Sequence, residues 1–105
     1  MINVHQGYYD FVAPASLRKI TLVQYTVAAI RVFEETFSNF TQITEVTIDG
    51  PVSRIDDKAF YNCSNLTTLN FTKTIAEWNN IILGTDWYTG TQLTAVHCSD
   101  GDVIL

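Results

Sequence analysis

Hydrophobic positions along the chain follow a pattern whose two clearest copies lie 23 residues apart. One copy runs from Phe37 to Ile48 and the other from Phe60 to Phe71. Each has an aromatic residue, an aliphatic residue after five intervening residues, a second aliphatic residue after two, and an apolar residue after one. Two further copies fit this template without gaps: Phe11, Leu17, Ile20 and Leu22, and Trp87, Leu93, Val96 and Cys98. The leading aromatic residues of the four tandem copies are 26, 23 and 27 residues apart.

The end of each copy has the alternation of a short strand whose apolar side chains point inward. Strands from successive copies would stack into a parallel sheet, and the leading aromatic would fill the gap between neighbouring turns. The spacing lies within the range of about 20–29 residues that is typical of leucine-rich repeats. We therefore predict an α/β fold, a leucine-rich-repeat solenoid of about four short parallel strands with helical or irregular crossovers. Its strands lie near residues 17–22, 43–48, 66–71 and 93–98 of a single domain (1–105), and residues 1–10 are a candidate cap.

Two crossovers carry helical signals. Thr74 and Glu77 have the spacing of a capping box, and the residues that follow predict a short helix over 75–82. The segment Thr26–Thr36 predicts a second helix, because apolar residues recur at helical spacing. These apolar residues are Val27, Ile30 and Phe33 or Phe37.

The middle crossover is shorter. Gly50 and Pro51 predict a turn. After it, Asp56 or Asp57 is expected to cap one helical turn that ends near Phe60.

Composition narrows the function classes. The 105 residues carry a net charge of -5, only 16% are charged and 47% are hydrophobic. Nucleic acid and anionic membrane surfaces are poor partners, because both require clustered Lys and Arg. There is no run of about 18 apolar residues that could span a membrane, and the first residues do not resemble a signal peptide. We expect either a cytosolic protein or a secreted chain without its leader.

Several side chains that suggest chemistry are better explained by the repeat. Cys63 stands where the previous copy has Phe40, and Cys98 stands at the inward position of Phe71, so both are predicted to be core residues with free thiols. An extended path would hold their sulfur atoms ~26 Å apart, too far for a disulfide. Trp87 is predicted to be a core residue as well.

The remaining candidates are polar. Asn39 and Asn62 occupy equivalent positions and are expected to satisfy backbone groups in the turn before the strand. A Cys98–His97 dyad is not expected, because neighbours on a strand face opposite ways. The segment 100–102, Asp-Gly-Asp, predicts a turn rather than a calcium site, which needs six to eight oxygen ligands. We expect no metal site and no cofactor.

The segment Val52–Leu69 resembles the repeat of BspA-like bacterial leucine-rich-repeat proteins, with Ala59-Phe60 and Asn62-Cys63 before the predicted strand. The closing stretch 76–102 resembles the end of a repeat array in that family. The resemblance covers roughly residues 35–103. It implies surface adhesins and other binding proteins, mostly from bacteria of animal mucosa, with a cell-surface or secreted location and no single ligand.

Alternation along the predicted strands places a strip of polar, nearly uncharged residues on the concave face of the sheet. This strip contains Lys19, Thr21, Glu45, Thr47, Thr68, Asn70 and His97. Repeat proteins commonly bind on concave surfaces, so we hypothesise a non-enzymatic module that binds a protein or a glycan. The alternative is a structural or self-associating solenoid unit with no external ligand. Its open strand edges could pair with another chain, and Ile2, Val4, Val103 and Leu105 would lie near them.

Overall fold

The computed structural model describes residues 2–5, 16–24 and 28–105, and its elements are mostly short strands. In chain order the strands are β1 Ile2–His5, β2 Lys19–Val23, β3 Ile30–Val32, β4 Glu45–Asp49, β5 Val52–Ile55, β6 Thr68–Phe71, β7 Ile82–Leu83, β8 Ala95–Cys98 and β9 Gly101–Ile104. One short helix, α1, spans Ile75–Trp78 between β6 and β7.

The larger sheet has six strands in the order β1-β2-β4-β6-β8-β9. The first five strands run parallel, and β9 turns back antiparallel to β8. Strands β2, β4, β6 and β8 come from the four copies of the repeat. Each begins two residues later than predicted, because the first aliphatic residue of each copy is buried just before the strand: Leu17, Ile43, Leu66 and Leu93. Residues 2–5, which the sequence only suggested as part of a cap, form the edge strand β1.

One face of this sheet forms the core, as the alternation predicts. Its buried residues are Ile20, Leu22, Val46, Ile48, Leu69, Phe71 and Val96. The register follows the repeat, since Val46 pairs with Leu69, which in turn pairs with Val96. Side chains at intervening positions therefore point away from the core.

A second, three-stranded parallel sheet of order β3-β5-β7 lies in the crossovers. The predicted helix over 26–36 is wrong in its described part. Residues 30–32 form β3, and turns follow it. Ile30 and Val32 are buried on either side of exposed Arg31, and pairing with β5 favours this strand over the helical spacing of Ile30 and Phe33. Residues 26 and 27 lie outside the described part of the chain.

The helix predicted over 75–82 is confirmed in its first turn only. The Thr74 hydroxyl accepts from the Glu77 amide at 3.2 Å, as the capping box requires. The helix ends at Trp78, and Ile82 and Leu83 form β7 instead. These two residues pair with Arg54 and Ile55 of β5, and such hydrogen bonds are not available to a longer α1.

A turn without helix stands where the helical turn near Phe60 was predicted, and similar turns precede β4 and β8. Each contains two residues with positive φ four positions apart: Glu35 and Asn39, Lys58 and Asn62, Asp86 and Gly90. A left-handed residue every fourth position prevents an α-helix from continuing. Successive turns stack through backbone hydrogen bonds, such as the Phe37 amide to the Ala59 carbonyl at 2.9 Å and the Phe60 amide to the Trp87 carbonyl at 2.9 Å.

Aromatic side chains stack in the same order as the turns. The rings of Phe37 and Phe60 are 5.5 Å apart and nearly parallel, and Trp87 meets Phe60 edge-on at 6.5 Å. Trp78 lies 5.8 Å from Trp87 and 5.7 Å from Phe71, so α1 closes the core above the last repeats. The prediction that Trp87 is a core residue is confirmed.

Candidate functional site

The outward-pointing residues of β2, β4, β6, β8 and β9, which we call the outer face, form rows across the larger sheet. The central row is set by the register and contains Thr21, Thr47, Asn70, His97 and Asp102. A neighbouring row contains Lys19, Glu45, Thr68, Ala95 and Ile104. Adjacent members of a row lie about 4.8 Å apart. The structure thus brings all seven predicted site residues into two neighbouring rows.

Side chains within the rows bond to one another. Asn70 Nδ2 donates to Thr47 Oγ1 at 3.3 Å, and Lys19 Nζ lies 3.9 Å from Glu45 Oε2. The Lys19–Glu45 ion pair is long and its lysine is exposed, so the pair contributes little to stability. Hydroxyl and amide groups held side by side form a row of donors and acceptors whose spacing is fixed by the backbone.

His97 has a partner that the sequence analysis missed. Its Nδ1 lies 2.8 Å from Asp102 Oδ1, because β9 folds back and pairs Asp102 with His97. The predicted turn at 100–102 lies instead at Ser99 and Asp100, and Gly101 already belongs to β9. An Asp-Gly step between Val96 and Val103 was the available signal for this hairpin. When Nδ1 carries the proton, Nε2 is left as an acceptor.

The outer face changes in polarity along its length. Lys19 and Glu45 lie towards its β2 side, whereas Ala95 and Ile104 occupy the same row on β8 and β9. Ile104 is 78% exposed, the most exposed of the large hydrophobic residues in the described chain. A ligand lying across the rows would meet hydrogen-bonding groups along most of its length and an apolar contact near β9.

Neither thiol is activated as a nucleophile. Burial raises the pKa of Cys63 to about 11. Cys63 is fully buried, as predicted, whereas Cys98 is only half-buried. Burial, followed by the charges of Asp100 and Asp102, raises the pKa of Cys98. A thiol with a raised pKa is largely protonated at neutral pH and reacts slowly.

A second polar cluster lies on the smaller sheet, and we call it the arginine cleft. It has a volume of about 140 Å³ and is lined by Arg31, Glu34, Arg54, Asp56 and Asp57. The sequence analysis had assigned Asp56 only as a helix-cap candidate. Arg31 and Arg54 lie 23 residues apart, the offset of the clearest repeat, and this equivalence could have placed them side by side.

Asp56 connects the two arginines of this cleft. Arg54 Nε donates to its Oδ1 at 2.6 Å, and Arg31 Nε donates to its Oδ2 at 2.9 Å. Asp56 is only 5% exposed. Its burial alone would raise the pKa of the carboxyl, but hydrogen bonds and positive charges from Arg54 and Arg31 outweigh this effect and hold the pKa below its usual value.

Two further searches cover the described part of the chain. No three His, Cys, Asp or Glu side chains among the described residues are grouped as metal ligands would be. No helix there is long and apolar enough to cross a lipid bilayer.

Comparison with protein families finds a match over most of the chain. The model for the BspA type leucine rich repeat region matches residues 6–96 in six copies. The chain belongs to the BspA-type leucine-rich-repeat family. This confirms the resemblance seen in the sequence, and the BspA-type match has two more copies than the template identified. No curated protein and no solved structure matches the chain.

Proposed function

We propose that the BspA-type repeats form a solenoid that acts as a non-enzymatic binding module, and that its outer face binds a protein or a glycan. The observation that carries this proposal is the central row. Successive repeats place Thr21, Thr47, Asn70 and His97 side by side in register. Repeat proteins commonly use such extended surfaces for recognition.

The chemistry of the outer face favours ligands that exchange many neutral hydrogen bonds. Threonine hydroxyls and the Asn70 amide can each donate and accept. Such groups suit the hydroxyls of a glycan or the main chain and polar side chains of a protein. Nucleic acid and membrane insertion are not part of the proposal. Binding to a phosphate backbone depends on several Lys or Arg residues, and Lys19 is the one such residue in the two described rows of the outer face.

An activity on the ligand is not proposed either. Catalysis by a thiol would need a lowered pKa and a base within hydrogen-bonding reach. Cys63 and Cys98 both have raised pKa values, and His97 bonds to Asp102.

The test compares two variants that add the same charge at different places. Asn70→Arg introduces a long cation into the central row, whereas Asn80→Arg introduces it at an exposed position after α1. Each protein would be immobilised and incubated with mucosal extract, and each would also be applied in solution to a glycan array. We expect the wild type and Asn80→Arg to retain the same ligand and Asn70→Arg to lose it at least tenfold. Equal retention by all three proteins would refute the outer face as the binding surface.

Self-association is a second candidate, and the strand edges favour it. The larger sheet ends at β1 and β9, and edge strands have unpaired backbone groups that can pair with another chain. Exposed Ile104 lies on β9, and the exposed pair Ile82 and Leu83 forms edge strand β7 of the smaller sheet. Light scattering across a concentration series should then show a rising mass that Ile104→Lys reduces. A constant monomer mass at the highest concentration would eliminate this candidate.

A further inference from the structure

The arginine cleft brings together like charges that the sheet would otherwise keep apart. Arg31 of β3 and Arg54 of β5 are paired in the parallel register, so their side chains leave the same face of the smaller sheet. Two cations on neighbouring strands repel each other. The carboxylate of Asp56 bonds to both arginines and neutralises one of the two charges. These three residues, which we call the floor of the cleft, therefore carry one net positive charge.

Hydrogen-bonding capacity remains on this floor. The carboxylate of Asp56 accepts hydrogen bonds from the Nε groups of both arginines, and Nη2 of Arg31 lies 2.9 Å from its Oδ2. Among the described residues, no partner is seen for Nη1 of Arg31 or for either terminal nitrogen of Arg54. The two side chains are 47% and 43% exposed, so these groups can be reached from solvent. Arg31 also lies over the Phe33 ring at 4.8 Å, which helps to fix its plane.

Two further residues that line the cleft carry the opposite charge. They are Glu34 and Asp57, whose side chains are exposed, and we call them the rim of the cleft. Asp57 is held in place, because its Oδ1 accepts from the Thr85 amide at 2.8 Å. A simple anion would meet the arginines but be repelled by the rim, and a simple cation would meet the rim but be repelled by the arginines.

We propose that the arginine cleft binds a zwitterionic group, in which an anion and a cation are separated by a few bonds. The anion accepts hydrogen bonds from the terminal nitrogens of Arg54 and Arg31, and the cation lies beside Glu34 and Asp57. The head of a free α-amino acid and a phosphoethanolamine group share this chemistry, and the cleft volume of about 140 Å³ suits either. The cleft lies on the smaller sheet, so this inference does not depend on the function of the outer face.

The test is a titration of the ¹⁵N-labelled wild-type protein with four probes: glycine, phosphoethanolamine, acetate and methylammonium. The Nε–Hε signals of Arg31 and Arg54 report on the floor of the cleft. We expect glycine or phosphoethanolamine to shift both signals in a saturable manner at millimolar concentration. The tighter of the two identifies an amino acid or a phosphate as the source of the anion. Acetate and methylammonium should bind several-fold more weakly than the tighter zwitterion.

A matched pair of variants tests the rim. Glu34→Gln removes a carboxylate that lines the cleft, whereas Glu35→Gln makes the same change at the next exposed residue, which does not line it. We expect Glu34→Gln to weaken binding of the zwitterion by about two- to fivefold and Glu35→Gln to leave it unchanged. Both variants keep the contacts of Asp56, so the fold is retained, and thermal melts would verify this.

Three results would overturn the proposal. One is the absence of a saturable shift with any of the four probes. The second is acetate or methylammonium binding as tightly as the zwitterions, which would leave a plain anion or cation site. The third is an unchanged affinity of Glu34→Gln for the zwitterion.

Discussion

At the scale of single residues, the turns depend on positions in the left-handed backbone region, which is unfavourable for most side chains. Asn39 and Asn62 have φ values of 62° and 58°, a region in which asparagine is tolerated better than most residues. Within the described part of the chain their side chains bond to each other at 3.3 Å and to no turn backbone group, so the role predicted for them from the sequence is wrong there. What the repeated asparagine supplies is backbone conformation.

Gly90 occupies the position of Asn39 and Asn62 in the next turn, and an added side chain there should be costly. A Cβ atom there would lie 2.3 Å from Asn62 Oδ1, and φ is 83°. We expect Gly90→Ala to lower the free energy of unfolding by about 1–3 kcal/mol. Urea denaturation would measure this loss. Thr94→Ala, at an exposed position, serves as the control and should change stability by less than about 0.5 kcal/mol. A neutral Gly90→Ala would show that the turn can move.

Asp56 should make stability depend on pH. Its pKa in the folded state lies below the usual value for an aspartate, so the ion pairs stabilise the fold above that usual pKa, and their contribution is lost as pH falls through the folded pKa. We expect Asp56→Asn to cost about 1–3 kcal/mol at pH 7. Its difference from the wild type should shrink below pH 4, measured by urea unfolding at several pH values.

Asp86→Asn is the matched control for this prediction. It removes one exposed carboxylate at a position whose φ of 56° asparagine tolerates. The control should show little difference from the wild type at any pH. A difference for Asp56→Asn that stays constant down to pH 2 would contradict the assignment to its ionised carboxylate.

The two thiols should differ in reactivity. Cys63 is fully buried, and its Sγ lies 2.9 Å from the Phe37 carbonyl oxygen, whereas Cys98 is half-buried. We expect iodoacetamide at pH 8 to label native protein slowly and only at Cys98, because both pKa values are raised. Intact mass should show a second label only in denaturant. Rapid labelling of Cys63 in native protein would show that the core opens readily.

At the scale of elements, the strands that carry the repeat were predictable and the others were not. The template placed β2, β4, β6 and β8 to within two residues, because burial of one face imposes a strict alternation. Strands β3 and β7 have three and two residues, too few to establish a period. Ile30 also fits the helical spacing that joins it to Val27 and Phe33, and only the partner strand β5 decides between strand and helix.

The candidate site divides in the same way. The rows of the outer face were predictable, since they follow from register and alternation. The pairing of His97 with Asp102 depends on β9, which lies beyond the template. The arginine cleft depends on the smaller sheet and on a turn, and neither has a signal in one repeat alone.

Helix α1 offers a test at the level of a single element. Its N-cap Thr74 accepts a hydrogen bond from the Glu77 amide. We expect Thr74→Ala to reduce the free energy of unfolding by about 1 kcal/mol. Thr74→Ser, which keeps the hydroxyl, is the matched variant and should retain most of that stability in the same chemical denaturation. Equal losses in both variants would mean that the hydroxyl does not cap the helix.

At the scale of the whole molecule, the repeats explain both the core and the outer face. The aliphatic residues of each strand stack on those of the next, and the same register aligns the polar residues between them. One repeat alone has no partner for its apolar face, so the outer face exists only in the stacked array. The proposed binding function therefore depends on this register.

Cross-linking between β4 and β6 measures the register directly. Thr47 and Asn70 are paired in the sheet, whereas Thr72 lies two residues further along the chain. In a Cys98→Ser background, mild oxidation of Thr47→Cys/Asn70→Cys should form a disulfide, because paired positions lie within the ~4.4–6.8 Å that Cα atoms of a disulfide span. Thr47→Cys/Thr72→Cys should not. Fragmentation of the linked peptides cut at Arg54 and Lys58 would locate the bond, because the second peptide also contains Cys63. Linkage of the second pair without the first would contradict the stacked register on which the account rests.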